Sequence, residues 1–167
     1  MIHATNAPQP RRDYLLIIAV VGAVALLIAA AIPAGCAVSL MGRYHNFVQD
    51  LGKSLMYARE HGTLEASVDG QTHKAMLQQV EHIYGRISDA GMGKPLDEPP
   101  KSSASLTFTF GDGSALQLFP AKIEQSGKSA VEGLAICYQS SDGRTFAYDT
   151  DRLSYQALLN DCMSTTG

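Results

Sequence analysis

At 167 residues, with 46% hydrophobic residues and a net charge of -3, the chain has room for one domain plus a terminal appendage. Apart from Arg11-Arg12, its lysines and arginines are scattered singly. It lacks the basic stripe that neutralises several phosphates, so no nucleic-acid partner is expected.

Residues 1–13 carry Arg11 and Arg12 and read as a cytoplasmic tail, because positive charge before an apolar run favours the inner side of a membrane. From Tyr14 to Ile32 the chain has no charged residue. As a helix rising 1.5 Å per residue this run spans about 28 Å, the thickness of a bilayer core. An apolar run of that length is hard to bury in so small a domain. Residues 14–40 are therefore expected to act as a transmembrane signal anchor or signal sequence, with residues 14–32 in contact with the membrane.

Three fates are open for this segment. The helix can remain as an uncleaved anchor, or it can be cleaved after a small residue such as Ala34 or Ala37. In the third, Ala34-Gly35-Cys36 resembles the end of a bacterial lipobox, which implies cleavage and lipidation of Cys36, although Pro33 stands where leucine is usual. The strings Ile18-Ala19-Val20-Val21-Gly22 and Ala31-Ile32-Pro33-Ala34, followed by Arg43, also resemble the N-terminal spine of type IV pilins and pseudopilins. They do so without the glycine and glutamate that those proteins use for processing and assembly.

Residues 41–167 read as an extracytoplasmic α+β domain with a small antiparallel sheet of about four or five strands and about three helices. Tyr44, Phe47, Val48, Leu51 and Leu55 form a helical stripe ending near His61-Gly62. A strand is expected over 63–68, with Asp69-Gly70 as a turn. Met76, Val80, Ile83, Tyr84 and Ile87 mark a second helix, with Gly91 as its terminator. Residues 91–105 carry Pro95, Pro99 and Pro100 and read as a flexible surface connection. Leu106, Phe108 and Phe110 alternate with threonines and lead through Gly111-Asp112-Gly113 into Leu116 and Leu118. Leu134, Ile136 and Tyr138 repeat the device through Asp142-Gly143 to Phe146 and Tyr148. A last helix is expected to start at Thr150 or Asp151 and to turn Leu153, Ala157 and Leu158 inward.

Cys137 and Cys162 fall in this domain, and a disulfide between them would close a loop of about 25 residues, contributing on the order of 3 kcal/mol. The alternative is a pair of reduced thiols, because Cys137 alternates with Ile136 and Tyr138. It can face the last helix only if that helix covers the face opposite to theirs, or if both faces of the sheet are covered.

No catalytic, cofactor or metal site is expected. The five histidines form no HxH or HExxH pair, no serine lies in a GxSxG elbow, and the Asp-Gly pairs read as turns and not as calcium loops. The plan of anchor, helix, strand-Asp-Gly-helix, proline-rich connection and the run Leu106 to Gly113 resembles small membrane-anchored or lipoprotein-type extracytoplasmic domains of Gram-positive bacteria. That resemblance implies a location at the cell membrane and no activity.

The expected function is a non-catalytic binding or assembly module of the cell envelope, with an envelope protein or a second copy as partner. One alternative is an envelope enzyme acting on a peptide or glycan through His61, His73, His82 or Asp89. The other is a pilin-like subunit.

Overall fold

The computed structural model describes residues 39–73, 76–100, 102, 105–125 and 129–163. The chain divides into two compact units, Met1–Leu40 and Met41–Gly167, and the following concerns the second. The membrane-spanning helix expected at 14–32 and the lipidation candidate Cys36 lie outside the described residues. Among the described residues, no helix is long and apolar enough to cross a membrane.

Residues 39–61 are helical and form α1. Then come β1 (Leu64–Val68), β2 (Gln71–His73), α2 (Leu77–Ala90), β3 (Lys94–Pro95), β4 (Leu106–Phe110), β5 (Ala115–Ile123), β6 (Val131–Gln139), β7 (Thr145–Thr150) and α3 (Tyr155–Met163). The α+β class stands, but the sheet has seven antiparallel strands in the order β2-β1-β4-β5-β6-β7-β3, where four or five were expected. The two additional short strands escape a reading based on alternation. β2 is fully exposed and β3 is two residues long, so neither carries a buried face to leave a pattern.

Alternation builds the main core. Leu106, Phe108 and Phe110 of β4, Leu116 and Leu118 of β5, Leu134, Ile136 and Tyr138 of β6, and Phe146 and Tyr148 of β7 share one buried cluster. The three helices cover that cluster, with Phe47, Leu51, Leu55 and Ala58 from α1, Val80, Ile83 and Ile87 from α2, and Tyr155 and Leu158 from α3. Gly62, at φ +67°, ends α1 by donating its N–H to the Ala58 carbonyl at 2.8 Å. α3 begins at Tyr155, later than expected. Thr150 remains in β7 and is buried, and Ser154 supplies the carbonyl that accepts the first helical bond, from Leu158.

The opposite face is smaller. Phe119, Ala135, Cys137 and Ala147 are buried there, and Leu96 and Ala121 pack on them. The stretch 91–105 is therefore more than a surface connection. Its Lys94 and Pro95 pair with Asp149 and Tyr148, the Leu96 N–H donates to the Ala147 carbonyl at 3.0 Å, and Leu96 covers part of the second face. Gly93 lets the chain approach this closely, since a Cβ there would lie 1.7 Å from the Asp149 carbonyl oxygen.

This contact predicts opposite effects for two glycines. Gly93→Ala must push β3 off β7 and should cost about 2 kcal/mol or more. Gly85→Ala in α2, where an added Cβ meets nothing within 4 Å, should gain about 0.5–1 kcal/mol. Urea unfolding of both variants checks this, and midpoints that move in the same direction would contradict it.

Candidate functional site

The β4–β5 and β6–β7 hairpins close with the same turn. In the first, the Phe110 carbonyl accepts from Gly113 N–H at 3.0 Å, and in the second the Ser140 carbonyl accepts from Gly143 N–H at 2.9 Å. Gly113 (φ +87°) and Gly143 (φ +85°) take the left-handed position after each turn, while Asp112 and Asp142 keep negative φ. The Asp69-Gly70 turn differs. Both residues are left-handed (φ +50° and +81°), which makes a two-residue hairpin between Val68 and Gln71.

Each turn aspartate folds back on its own turn. Asp112 accepts from the Ser114 N–H at 2.9 Å and from its hydroxyl at 2.6 Å. Asp142 accepts from the Ser140 hydroxyl, from Arg144 Nε at 2.7 Å and from the Arg144 N–H at 3.3 Å. Helix α1 then ties the two turns together through residues one helical turn apart. Ser54 Oγ lies 2.7 Å from Asp112 Oδ2, 2.7 Å from Ser114 Oγ and 3.0 Å from the Tyr138 hydroxyl. A serine has one proton to donate, so Ser54 and Ser114 each direct theirs to the carboxylate, and Ser54 accepts from the Tyr138 hydroxyl. Asp50 holds Arg144 at 3.1 Å and Lys53 at 2.8 Å.

This network sets the charge states. Burial pushes the Asp112 carboxyl up, but the bonds from Ser114 and Ser54 outweigh it and hold the group below the ordinary carboxylate value. Asp142, bonded by Ser140 and Arg144, is lowered to about 2. Burial raises the Tyr138 hydroxyl against the bonds from the two serines, keeping it neutral.

Beside the network lies a small pocket of about 100 Å³ between α1 and the β6–β7 turn. Its floor is aromatic. Phe47 and Phe146 are stacked with centroids 5.2 Å apart, and Tyr138 stands edge-on to Phe47 at 5.6 Å. Arg43 and Arg144 flank the opening, with the Arg43 guanidinium 5.7 Å above the Phe146 ring.

The residues singled out from sequence are not gathered here. His61 is stacked on Tyr57 at 4.1 Å, and its Nδ1 lies 2.9 Å from the Tyr57 carbonyl oxygen. His73 is exposed on β2 and Asp89 is exposed on α2. His82 is exposed on α2, 3.7 Å from Asp161. Among the described residues, no group of three or more His, Cys, Asp or Glu is placed to hold a metal ion.

The two domain cysteines are free thiols on opposite faces of the sheet. Cys137 belongs to the small second face, whereas Cys162 of α3 packs on the main core. Because α3 lies on the same face as Ile136 and Tyr138, the strand alternation that turns Cys137 away keeps the expected disulfide partners apart. Burial raises both thiols, so both are protonated near neutral pH.

Sequence reading missed the serine–aspartate network, although a signal existed. Ser54 interrupts the apolar stripe between Leu51 and Leu55, and a polar residue on a buried helical face needs a partner.

Asp112→Ala should lower stability by about 2–3 kcal/mol, because the buried serine hydroxyls lose their acceptor. The folded carboxyl titrates below its unfolded value. Its contribution is therefore complete above pH 4 or so and lost as pH falls through the folded value. Asp112→Asn should show a flatter decline in urea midpoint between pH 5 and pH 2 than the parent protein. Identical acid limbs would contradict the assignment.

Comparison with protein-family models, with curated proteins and with solved structures finds no match to this chain.

Proposed function

We propose that the protein is a membrane-anchored extracytoplasmic protein whose domain is a non-catalytic binding or assembly module of the cell envelope. The apolar run Tyr14–Ile32, preceded by Arg11 and Arg12, supports the anchor and its orientation. One observation supports binding over catalysis. Ser54, Ser114 and Tyr138 are buried and bonded to one another or to Asp112, so these hydroxyls serve to fasten helix α1. The groups left facing solvent beside them are Arg43, Asn46, Arg144 and Thr145, which rim a pocket with an aromatic floor. Recognition sites commonly combine an apolar floor with a few orienting polar groups.

Crosslinking in intact membranes followed by affinity recovery should give a defined envelope partner or a homo-oligomer. Monomer alone would count against the reading. The intact mass of the membrane-extracted protein should be that of the full-length chain. A mature N-terminus at Cys36 carrying a diacylglyceryl group would replace the helical anchor with a lipid one.

A further inference from the structure

We infer that the pocket between α1 and the β6–β7 turn binds the carboxylate of a ligand, held between the Arg43 and Arg144 guanidiniums with Phe47 and Phe146 beneath it. The inference rests on the binding reading above and names the chemistry of that site.

The charges point to a single anionic group. Arg144 is fixed by Asp142 at its Nε and by Asp50 at Nη2, which leaves its Nη1 without a bond among the described residues. Arg43 has no ion pair among the described residues, and its guanidinium lies over the Phe146 ring. Of the residues that line the pocket, Arg43 and Arg144 are cationic and Asp50 is anionic, an excess of one positive charge. A carboxylate matches that excess and the planar fork of a guanidinium. A phosphate, with more negative charge, would be repelled by Asp50 and Asp142.

The backbone supplies a further donor. The Leu96 N–H bonds to the Ala147 carbonyl, which marks the outward-facing positions of β7. Alternation along an antiparallel strand places the Thr145 N–H on the same outer edge. Pairing with β3 reaches only Tyr148 and Asp149, with Leu96 adding one bond to Ala147. Thr145 is thus left at an open edge beside the pocket.

The floor explains what lies next to the carboxylate. Phe47 and Phe146 are buried and stacked, and they present an apolar surface to a short aliphatic group. A volume of about 100 Å³ admits such a terminal group and no long chain. A free carboxylic acid and the C-terminus of a peptide share this chemistry.

The test is an NMR titration of the ¹⁵N-labelled full-length protein in detergent micelles, following the arginine Nε–H signals and the Thr145 amide. The probes are N-acetyl-alanyl-alanine, its C-terminal amide, acetate and inorganic phosphate. The acid should give saturable shifts at Arg43, Arg144 and Thr145, with the amide at least about tenfold weaker. Arg43→Ala should weaken the acid about tenfold, whereas Arg59→Ala, which removes an exposed pair with Glu81, should leave it unchanged. Acetate binding as tightly as the dipeptide acid identifies a free small carboxylate as the ligand, and a tighter dipeptide identifies a chain terminus.

Equal response to acid and amide, tighter binding of phosphate, or an unaffected Arg43→Ala variant would overturn the assignment. A crosslinked partner without any carboxylate response removes this site and leaves the binding module standing. A carboxylate response with monomer alone keeps the site and removes the assembly role.

Discussion

The seating of helix α1 on the sheet is the constraint from which the rest of the domain follows. Phe47 lies within 5.2–5.9 Å of the rings of Tyr44, Tyr138, Phe146 and Tyr148, so one side chain joins the helix to β6 and β7. Apolar contact of this kind is strong but weakly directional. Ser54 adds direction, because its bonds to Asp112 and Tyr138 fix both the rotation of the helix and its height along the strands. Asp50 repeats the function at the second turn through Arg144.

This arrangement links the turn sequences to the pocket. A tight hairpin needs a glycine after the turn, and the aspartate before that glycine is free to accept bonds from its own loop. In the first hairpin the spare acceptor capacity of that aspartate reaches the helix, and in the second the arginine it holds donates to Asp50 of the helix. The groups that anchor α1 therefore also form one wall of the pocket, and Arg144 is fixed in place without any ligand. A guanidinium already held by two carboxylates loses less side-chain entropy on binding than a free one. Arg43, which has no ion pair among the described residues, stands across from it.

The two faces of the sheet differ in depth, and the cysteines report it. The main face carries large side chains and three helices, while the second is built from Ala135, Ala147, Cys137 and Phe119 with Leu96 lying on them. Small residues there allow a backbone segment to lie close, and the approach of Gly93 to Asp149 extends the same principle to the sheet edge. A thiol on the shallow face and a thiol on a helix of the deep face share no space in which to bond. Links between α2 and α3 come instead from the Arg86–Asp161 pair and from the Gln79 side chain on the Cys162 carbonyl.

Much of this domain was legible in the residues. The stripes Phe47-Leu51-Leu55 and Val80-Ile83-Ile87, the alternating β4, and the Asp-Gly turns all declare themselves, because burial on one face imposes a period on the chain. Hydrophobic periodicity says which side of an element is buried, but it is silent about strands with no buried side. β3 consequently emerged only from the hydrogen-bonded ladder, and β2 was marked by no pattern beyond the Asp69-Gly70 turn before it. The site lay further out of reach. Ser54 and Asp112 stand 58 positions apart in the chain, and nothing local in either segment encodes their meeting. The sequence determined the elements and their inward faces through local spacing. Which face α3 covers, where the two thiols lie and which polar groups meet depend on strand order and helix docking, and these the tertiary structure alone decided.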